Sequence, residues 1–401
     1  MIVAADDTAE RHVLGAGTLS LRISRQDVDD LFVVAERQNP KRAFVFVSTV
    51  LGRHIPVAPA AHRAALVALA RKVAPAVCAG PILVMSYAET AIGLGLGVAE
   101  ELARLAPTAE ITYLPTTRFP VPGHPVWFEI EEAHSHAVDH TVLRPDPALG
   151  AEACKTLVLV DDETTTGATF RNLGTGLASA GLRPERVVLV TLTDWSGGSA
   201  AGALSSVFPG ADVRALSLLS GAWGFAPKAT APARALPRPV PAACPAWSPA
   251  AGQTWAVPRQ GVRVDGAGSP QDRYARLVAD GVLPSPGPAR MLVIGAGEHA
   301  WQPFLAAEAM ATTGAEIRFI TTTRSPVRPG GAIAHQIAFP DHYGLGLPMY
   351  LNNVVPEAWD DIVLMTETGA AGVPAALRAA LGKGRVVDGA GHVLPMLDDT
   401  P

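Results

Sequence analysis

Cysteine is scarce in this chain: Cys78, Cys154 and Cys244 are the only three in 401 residues, far apart and in no CxxC spacing. Such usage gives neither a disulfide framework nor a structural zinc site, and it suits a reducing compartment. Charge is scarce too, at 17% of residues, with a net of −5 and no Lys/Arg cluster. A nucleic-acid footprint would need the opposite, a basic stripe or patch. No uninterrupted apolar run approaches membrane-spanning length. The first residues, Met1-Ile-Val-Ala-Ala-Asp-Asp-Thr-Ala-Glu-Arg, carry acids where a signal peptide would carry bases ahead of an apolar stretch. A cytoplasmic protein, with neither nucleic acid nor membrane as a partner, is the expectation. What is plentiful is apolar: 48% of residues, enough for a sizeable core. A chain of 401 residues has room for two domains, or for one with a large appendage.

Strand and helix patterns alternate over the first half. Ala43 to Val50, Pro81 to Met85, Ala109 to Leu114, Thr156 to Val160 and Arg186 to Leu192 read as strands. Helical stretches stand between them, at Ala60 to Val73, at Ala91 to Leu105 and from Phe170 to about Gly181. Alternation with these lengths implies an α/β fold with a doubly wound, mainly parallel sheet. From Gly224 to about Val257 the periodicity disappears into Ala-Pro repeats, a linker or a strap. Trp223, Trp247 and Trp255 suit docking of that segment, and a flexible linker with exposed aromatics is the alternative. Beyond Arg290 the chain repeats itself. Ile82-Leu-Val-Met-Ser-Tyr-Ala-Glu-Thr-Ala91 returns as Met291-Leu-Val-Ile-Gly-Ala-Gly-Glu-His-Ala300, and Ile111-Thr-Tyr-Leu-Pro-Thr-Thr-Arg-Phe-Pro120 as Ile317-Arg-Phe-Ile-Thr-Thr-Thr-Arg-Ser-Pro326. Leu157-Val-Leu-Val-Asp-Asp-Glu163 is echoed by Ile362-Val-Leu-Met-Thr-Glu-Thr368. The expected organisation is a first domain over 1–225, a Pro/Ala-rich linker or strap over 226–274, and a smaller, degenerate α/β repeat over 275–401.

The segment Thr156-Leu-Val-Leu-Val-Asp-Asp-Glu-Thr-Thr-Thr-Gly-Ala-Thr169 carries the most chemistry. A β-branched apolar run reads as a strand covered on both faces, and Asp161 and Asp162 end it where an open α/β sheet places its ligands. Thr165, Thr166, Gly167, Ala168 and Thr169 then offer amides and hydroxyls ahead of a helix. Unpaired helix N–H groups and the macrodipole favour an anion there. The carboxylates favour the reverse, a sugar's hydroxyl donors or the waters around a metal. A phosphate beside a ribose diol describes a ribose 5-phosphate.

Two acids, two variable positions and Thr-Thr-Gly-x-Thr resemble the signature of type I phosphoribosyltransferases, which bind 5-phosphoribosyl-1-diphosphate (PRPP). The resemblance implies a type I phosphoribosyltransferase fold, Mg2+ as cofactor, and PRPP or a nucleotide plus a heterocyclic base as substrates. It gives Asp161 and Asp162 to the diol, with no direct metal ligand required, and Thr165 to Thr169 to the 5-phosphate. The family's diphosphate loop falls on Ser86, Tyr87, Ala88, Glu89 and Thr90. Glu89 reads there as an acid bridged to diphosphate by magnesium or a base, or as a dipole-favoured acid of the first helical turn. The family's mobile hood falls between Thr116 and Val142, where Arg118 could neutralise the leaving diphosphate. His134 and His136 stand in the same stretch as phosphate or base contacts, as a weak metal pair, or as surface or core residues. Base recognition is expected from Val47 to Pro56, with Arg53 and His54, and from Leu218 to Trp223.

Thr323-Arg-Ser-Pro326 and Phe339-Pro-Asp-His-Tyr-Gly344 resemble the TRSP domain, found behind orotate-phosphoribosyltransferase-like domains in bacterial gene clusters associated with tellurium resistance. In this second domain the acid pair has become Thr366-Glu367 and the cradle Thr368-Gly-Ala-Ala-Gly372, so a second transferase is not expected. Arg324, Asp341, His342 and Tyr343 are its candidates, either for binding a base or partner group or for a buried Arg–Asp pair. The implied activity is phosphoribosyl transfer in nucleotide or specialised nucleoside metabolism, and a homodimer is compatible with it. A PRPP-responsive regulator and an assembly protein with a non-catalytic transferase fold are the alternatives. The first lacks a helix-turn-helix or basic reading element. The second sits poorly with an intact acid pair and cradle.

Overall fold

The structure, a computed structural model, describes residues 8–37, 42–119, 121, 123–131, 138–228, 257–266, 268–285 and 287–397. In chain order it opens with β1 (Thr8–Leu14), β2 (Gly17–Gln26), β3 (Phe32–Glu36), β4 (Phe44–Ser48), α1 (Pro59–Val73), β5 (Ile82–Ser86), α2 (Ile92–Leu105) and β6 (Ile111–Pro115). Then come β7 (Val126–Glu131), β8 (Val138–Leu143), β9 (Thr156–Thr164), α3 (Ala168–Ser179), β10 (Arg186–Asp194), α4 (Ser199–Ser205), β11 (Asp212–Pro227) and β12 (Val262–Val264). The last part holds α5 (Pro270–Ala279), β13 (Arg290–Gly295), α6 (Trp301–Ala311), β14 (Glu316–Thr321), β15 (Gln336–Pro340), β16 (Pro348–Asn352), β17 (Asp361–Met365), α7 (Ala375–Leu381), β18 (Arg385–Val387) and β19 (Val393–Pro395). Among the described residues no helix is long and apolar enough to cross a membrane.

Two compact units emerge. The first takes Met1–Leu31, Arg63–Ala231 and Pro258–Ala267, and the second takes Phe32–His62, Pro232–Val257 and Gly268–Pro401. These bounds differ from divisions at 225 and 274. Residues 32–62 go with the second unit, because the β3–β4 hairpin buries Ala35 and Val47 against Val327 and Ile333. Val57 and Phe319 also exchange backbone hydrogen bonds, both of 2.9 Å. In the other direction, β12 returns to the first unit by pairing antiparallel with β6. Most of the expected linker, from 229 to 256, lies outside the described residues, with Trp247 and Trp255.

The first unit is built on a sheet of order β1-β2-β11-β10-β9-β5-β6-β12. Strands β11, β10, β9, β5 and β6 run parallel, with antiparallel strands only at the two edges, as expected of a doubly wound, mainly parallel α/β sheet. The parallel strands are apolar on both faces because helices cover both: β5 and β6 are buried throughout, and so is β9 up to Val160. From β5 the chain moves through α2 to β6 on one side. From β9 it moves through α3 and α4 to β10 and β11 on the other. The junction of β5 and β9 is therefore the topological switch point, where such sheets open a crevice at the strands' carboxyl ends.

The second unit has a five-stranded sheet of order β14-β13-β17-β18-β19, parallel except for β19. Its first four strands repeat the order and direction of β6-β5-β9-β10. Single hydrogen bonds recur as well. Thr116 N donates to Ser86 O at 2.9 Å, and Thr322 N to Gly295 O at 2.9 Å. Ala88 N donates to Thr116 Oγ1 at 2.9 Å, and Gly297 N to Thr322 Oγ1 at 2.8 Å. The repeat read from the sequence is thus present in the backbone pairing itself.

One ionic network braces α2 from behind the sheet. Arg63 Nη1 donates to Glu100 (3.1 Å) and Glu101 (2.8 Å), and Arg104 pairs with both acids. Both glutamates are buried. Removing one partner of a buried ion pair leaves an uncompensated charge and costs about 3 kcal/mol. Arg63→Met should therefore lower the urea midpoint by the equivalent of about 3 kcal/mol. Lys155→Met breaks only the exposed Lys155–Glu185 bridge of 2.6 Å and should leave the midpoint nearly unchanged. Equal midpoints for the two variants would remove the network from the account of stability.

Candidate active site

At the switch point β9 outruns its neighbour. Pairing with β5 ends at Ser86↔Val160, while pairing with β10 continues to Thr164↔Asp194. Asp161, Asp162 and Glu163 therefore continue the strand that the sequence ended at Val160, and each is half-buried, beyond the last residue paired with β5. Asp162 N donates to Asp161 Oδ1 at 2.9 Å. Burial first, then the charge of Asp162 and its side-chain hydrogen bond, and more weakly Glu163, push the Asp161 carboxyl well above the usual carboxylate range. A crevice of this kind is relieved by hydrogen-bond donors or by a cation. It repels a bare anion.

The cradle follows at once, and α3 begins at Ala168, two residues before the expected start. Gly167 caps it at φ +74, a left-handed conformation; a Cβ there would lie 2.4 Å from the Ala200 Cα. Glycine is thus required twice over. Thr165 is half-buried, Thr166, Ala168 and Thr169 are exposed, and the first turn of α3 contains no acid. Ala168 N donates to Thr166 Oγ1 at 3.3 Å, and with no acid in the first turn the helix dipole is left unneutralised there, a fit for a phosphate monoester.

Opposite stands the turn after β5, and here the sequence reading needs correction. Ser86 and Tyr87 spend their hydroxyls inside the protein. Ser86 Oγ lies 2.7 Å from Tyr113 Oη, which donates to Ile92 O at 3.0 Å, and Tyr87 Oη donates to Thr169 O at 2.6 Å. Tyr87 also packs its ring on Phe170 and His140, so it pins the turn to the start of α3. Gly95 of α2 makes the close approach beneath it: a Cβ there would meet Ser86 Cβ at 2.4 Å. Ala88 and Glu89 are buried and Thr90 half-buried. What this turn can offer an anion is mainly backbone.

Arg118 reaches the same turn. Its Nε donates to Ala88 O at 3.1 Å and its Nη2 lies 3.1 Å from His140 Nε2. His140 Nδ1 lies 2.9 Å from Thr116 Oγ1. His140 belongs to β8, which pairs with β7 within the expected hood. Sequence reasoning missed it, since nothing separates it from the neighbouring histidines until β8 is paired. His134 and His136 lie outside the described residues. Arg53 and His54, expected near a base, are buried in the second unit, where Arg53 Nη1 donates to Gly297 O (3.1 Å) and Thr321 Oγ1 (2.9 Å). Leu218 and Leu219 are core residues of β11.

The matching crevice of the second unit is filled by its own side chains. Asp341 accepts from the amides of Tyr343 (2.8 Å), Leu345 (3.0 Å) and Leu347 (2.8 Å), a turn cap. Tyr343 Oη donates to Glu367 Oε1 at 2.9 Å and accepts from Glu298 N at 3.2 Å. His342 is fully buried beside Thr322 (3.3 Å), and Arg324 is half-buried. Helix α7 starts only after Pro374 and has seven residues, so the anion cradle is not repeated.

Residues 31–222 match the family model described as phosphoribosyl transferase, and residues 261–380 match the TRSP domain described as C-terminal to it. No curated protein is a detectable sequence relative. Among solved structures, adenine phosphoribosyl transferase from Trypanosoma brucei, in complex with AMP, pyrophosphate and ribose-5-phosphate, is 11% identical, covering 47% of this chain and 76% of its own at a TM-score of 0.34. The Giardia lamblia adenine enzyme with 9-deazaadenine is 15% identical, covering 46% and 94% at 0.31. The L. donovani hypoxanthine-guanine enzyme is 13% identical, covering 42% and 83% at 0.26. The chain thus carries a domain of the phosphoribosyl transferase family over residues 31–222, followed by a TRSP domain over residues 261–380.

Proposed function

We propose that the first unit transfers ribose 5-phosphate between PRPP and a nucleobase-like heterocycle, with release of diphosphate or in the reverse direction. The observation that carries this reading is the placement of the Asp161–Asp162 pair and the start of α3 side by side at the switch point, facing the β5 turn. The cradle of Thr165 to Thr169 takes the 5-phosphate through amides and hydroxyls. The carboxylates of Asp161 and Asp162 accept from the ribose diol and hold a negative field beneath the sugar. As the C1–oxygen bond to diphosphate breaks and the C1–nitrogen bond forms, the ring becomes cationic and the diphosphate gains charge. Asp161 and Asp162 favour the first change and Arg118 the second, both by preorganised electrostatics.

The crowded carboxyls fit magnesium, which Asp161 and Asp162 would hold through water or the diol, and which supplies charge neutralisation to the diphosphate when bound. The hairpin of β7 and β8 stands where a hood would exclude water from the reacting carbon. The setting we infer is cytoplasmic nucleotide or nucleoside metabolism.

Incubating the full chain with PRPP, magnesium and a panel of purine, pyrimidine and other heterocycles should release diphosphate with at least one of them. Failure of magnesium–PRPP to bind by calorimetry would sink the reading. Asp162→Asn removes a charge-assisted contact of about 1.5–3 kcal/mol, so turnover should drop about ten- to a hundredfold with the fold intact.

The raised Asp161 carboxyl makes a second prediction about the ligand-free protein. A carboxyl whose folded pKa exceeds its unfolded one takes up protons on folding, so stability is lost as pH rises from about 4 through the raised value. Asp161→Asn should flatten that slope. Its melting temperature should exceed wild type near pH 8 and match it near pH 4, about the ordinary aspartate value. A parallel shift at both pH values would mean that Asp161 is not the titrating group.

A further inference from the structure

The residues around Ala88 close into a ring of which the phosphoribosyl reading uses Arg118 alone. Ala88 N donates to Thr116 Oγ1 (2.9 Å), Thr116 Oγ1 meets His140 Nδ1 (2.9 Å), His140 Nε2 meets Arg118 Nη2 (3.1 Å), and Arg118 Nε returns to Ala88 O (3.1 Å). The ring joins the turn after β5, the segment after β6 and strand β8. Thr117 and Thr141 fasten the same junction by exchanging backbone hydrogen bonds of 2.8 Å.

Guanidinium nitrogens only donate, so the contact with Arg118 requires a lone pair on His140 Nε2. The imidazole proton then sits on Nδ1 and is donated to Thr116 Oγ1, a tautomer assigned from the network. His140 is buried, and its ring stands edge-on to Tyr87 with centroids 5.3 Å apart. It cannot turn away without breaking both bonds and this packing. The threonine–histidine pair recurs in the second unit as Thr322 and His342 at 3.3 Å, so a purely architectural role for it must be separated by experiment from a role at the site.

We propose that His140 is a positioning residue for diphosphate: through Nε2 it aims Arg118 at the β5 turn, and through Thr116 it holds the Ala88 amide in the same frame. This inference rests on the phosphoribosyl reading of the site. It assigns His140 to the diphosphate half, because the four hydrogen bonds of the ring join the β5 turn, the segment after β6 and β8, while the cradle of Thr165 to Thr169 spans the end of β9 and the start of α3. Tyr87, edge-on to His140 and donating to Thr169 O, is a link between the two halves, and both ligands are therefore measured.

The test measures two ligands separately by calorimetry, magnesium–diphosphate and ribose 5-phosphate, on the full chain. His140→Phe keeps the buried ring and removes both hydrogen-bonding nitrogens. It should weaken magnesium–diphosphate at least tenfold, about 1.4 kcal/mol, and leave ribose 5-phosphate within about twofold. His140→Gln, whose carbonyl can still accept from Arg118, should recover most of the loss. Equal weakening of both ligands would reduce His140 to architecture, and unchanged diphosphate affinity would remove it altogether. Independently of how the variants fold, nitrogen NMR of histidine-labelled wild type should show the Nδ1–H tautomer at His140, and the Nε2–H tautomer would overturn the ring. If wild type binds neither ligand, the phosphoribosyl reading itself has failed; if wild type binds both and His140→Phe does too, only the present inference has.

Discussion

Repulsion among Asp161, Asp162 and Glu163, consecutive acids at the end of a buried strand, is the constraint on which the rest of the first unit depends. Like charges taken partly out of water raise one another's pKa and destabilise the empty fold. Strand β10 holds them in place by pairing on one side as far as Thr164, while pairing with β5 on the other side ends at Ser86. The chain winds away from the switch point in both directions, so no parallel strand continues beside β9 past Val160 on the β5 side. The crevice is a consequence of topology, and its charge is a standing demand for donors or a cation.

Beside that demand the fold builds its opposite. Helix α3 begins directly after β9, with no acid in its first turn and with a glycine that lets Ala200 approach its start. A negative edge and a positive helix end thus lie a few residues apart on one continuous segment. Tyr87 ties that segment to the β5 turn through Thr169, and α2 comes close enough beneath the turn only because residue 95 lacks a side chain. The apparent inventory of hydroxyls at the turn is therefore support for a backbone surface. A binding edge made of amides needs rigid backing, and the serine and tyrosine supply it.

The second unit shows the same strand order with the opposite outcome. Where the first unit has Asp162 at the end of β9, the second has Glu367, which receives a tyrosine hydroxyl at 2.9 Å and the amide of Val257 at 3.1 Å. Buried polar groups must find partners, and within this unit they find them among its own residues. The duplicated scaffold was kept down to single backbone hydrogen bonds, while the demand for an external ligand was removed. Asp341 belongs to that closure, since its carboxylate accepts from three backbone amides of one turn.

The sequence by itself determined what is local. The alternation of strands and helices, the acid pair followed by a glycine-containing cradle, and the repeat beyond Arg290 each lie within one short stretch, where spacing alone carries the geometry. Tertiary structure decided everything that depends on pairing between distant strands. It extended β9 through its acids because β10 was there to pair with them, and it turned Ser86 and Tyr87 inward because Tyr113 and Thr169 were within reach. It drew residues 32–62 to the second unit because their hairpin buries apolar faces against Val327 and Ile333. It singled out His140 because only the pairing of β8 sets an imidazole between Thr116 and Arg118. A side chain's type is written in the sequence, but its partner is set by which strands meet, and that is a long-range property of the whole sheet.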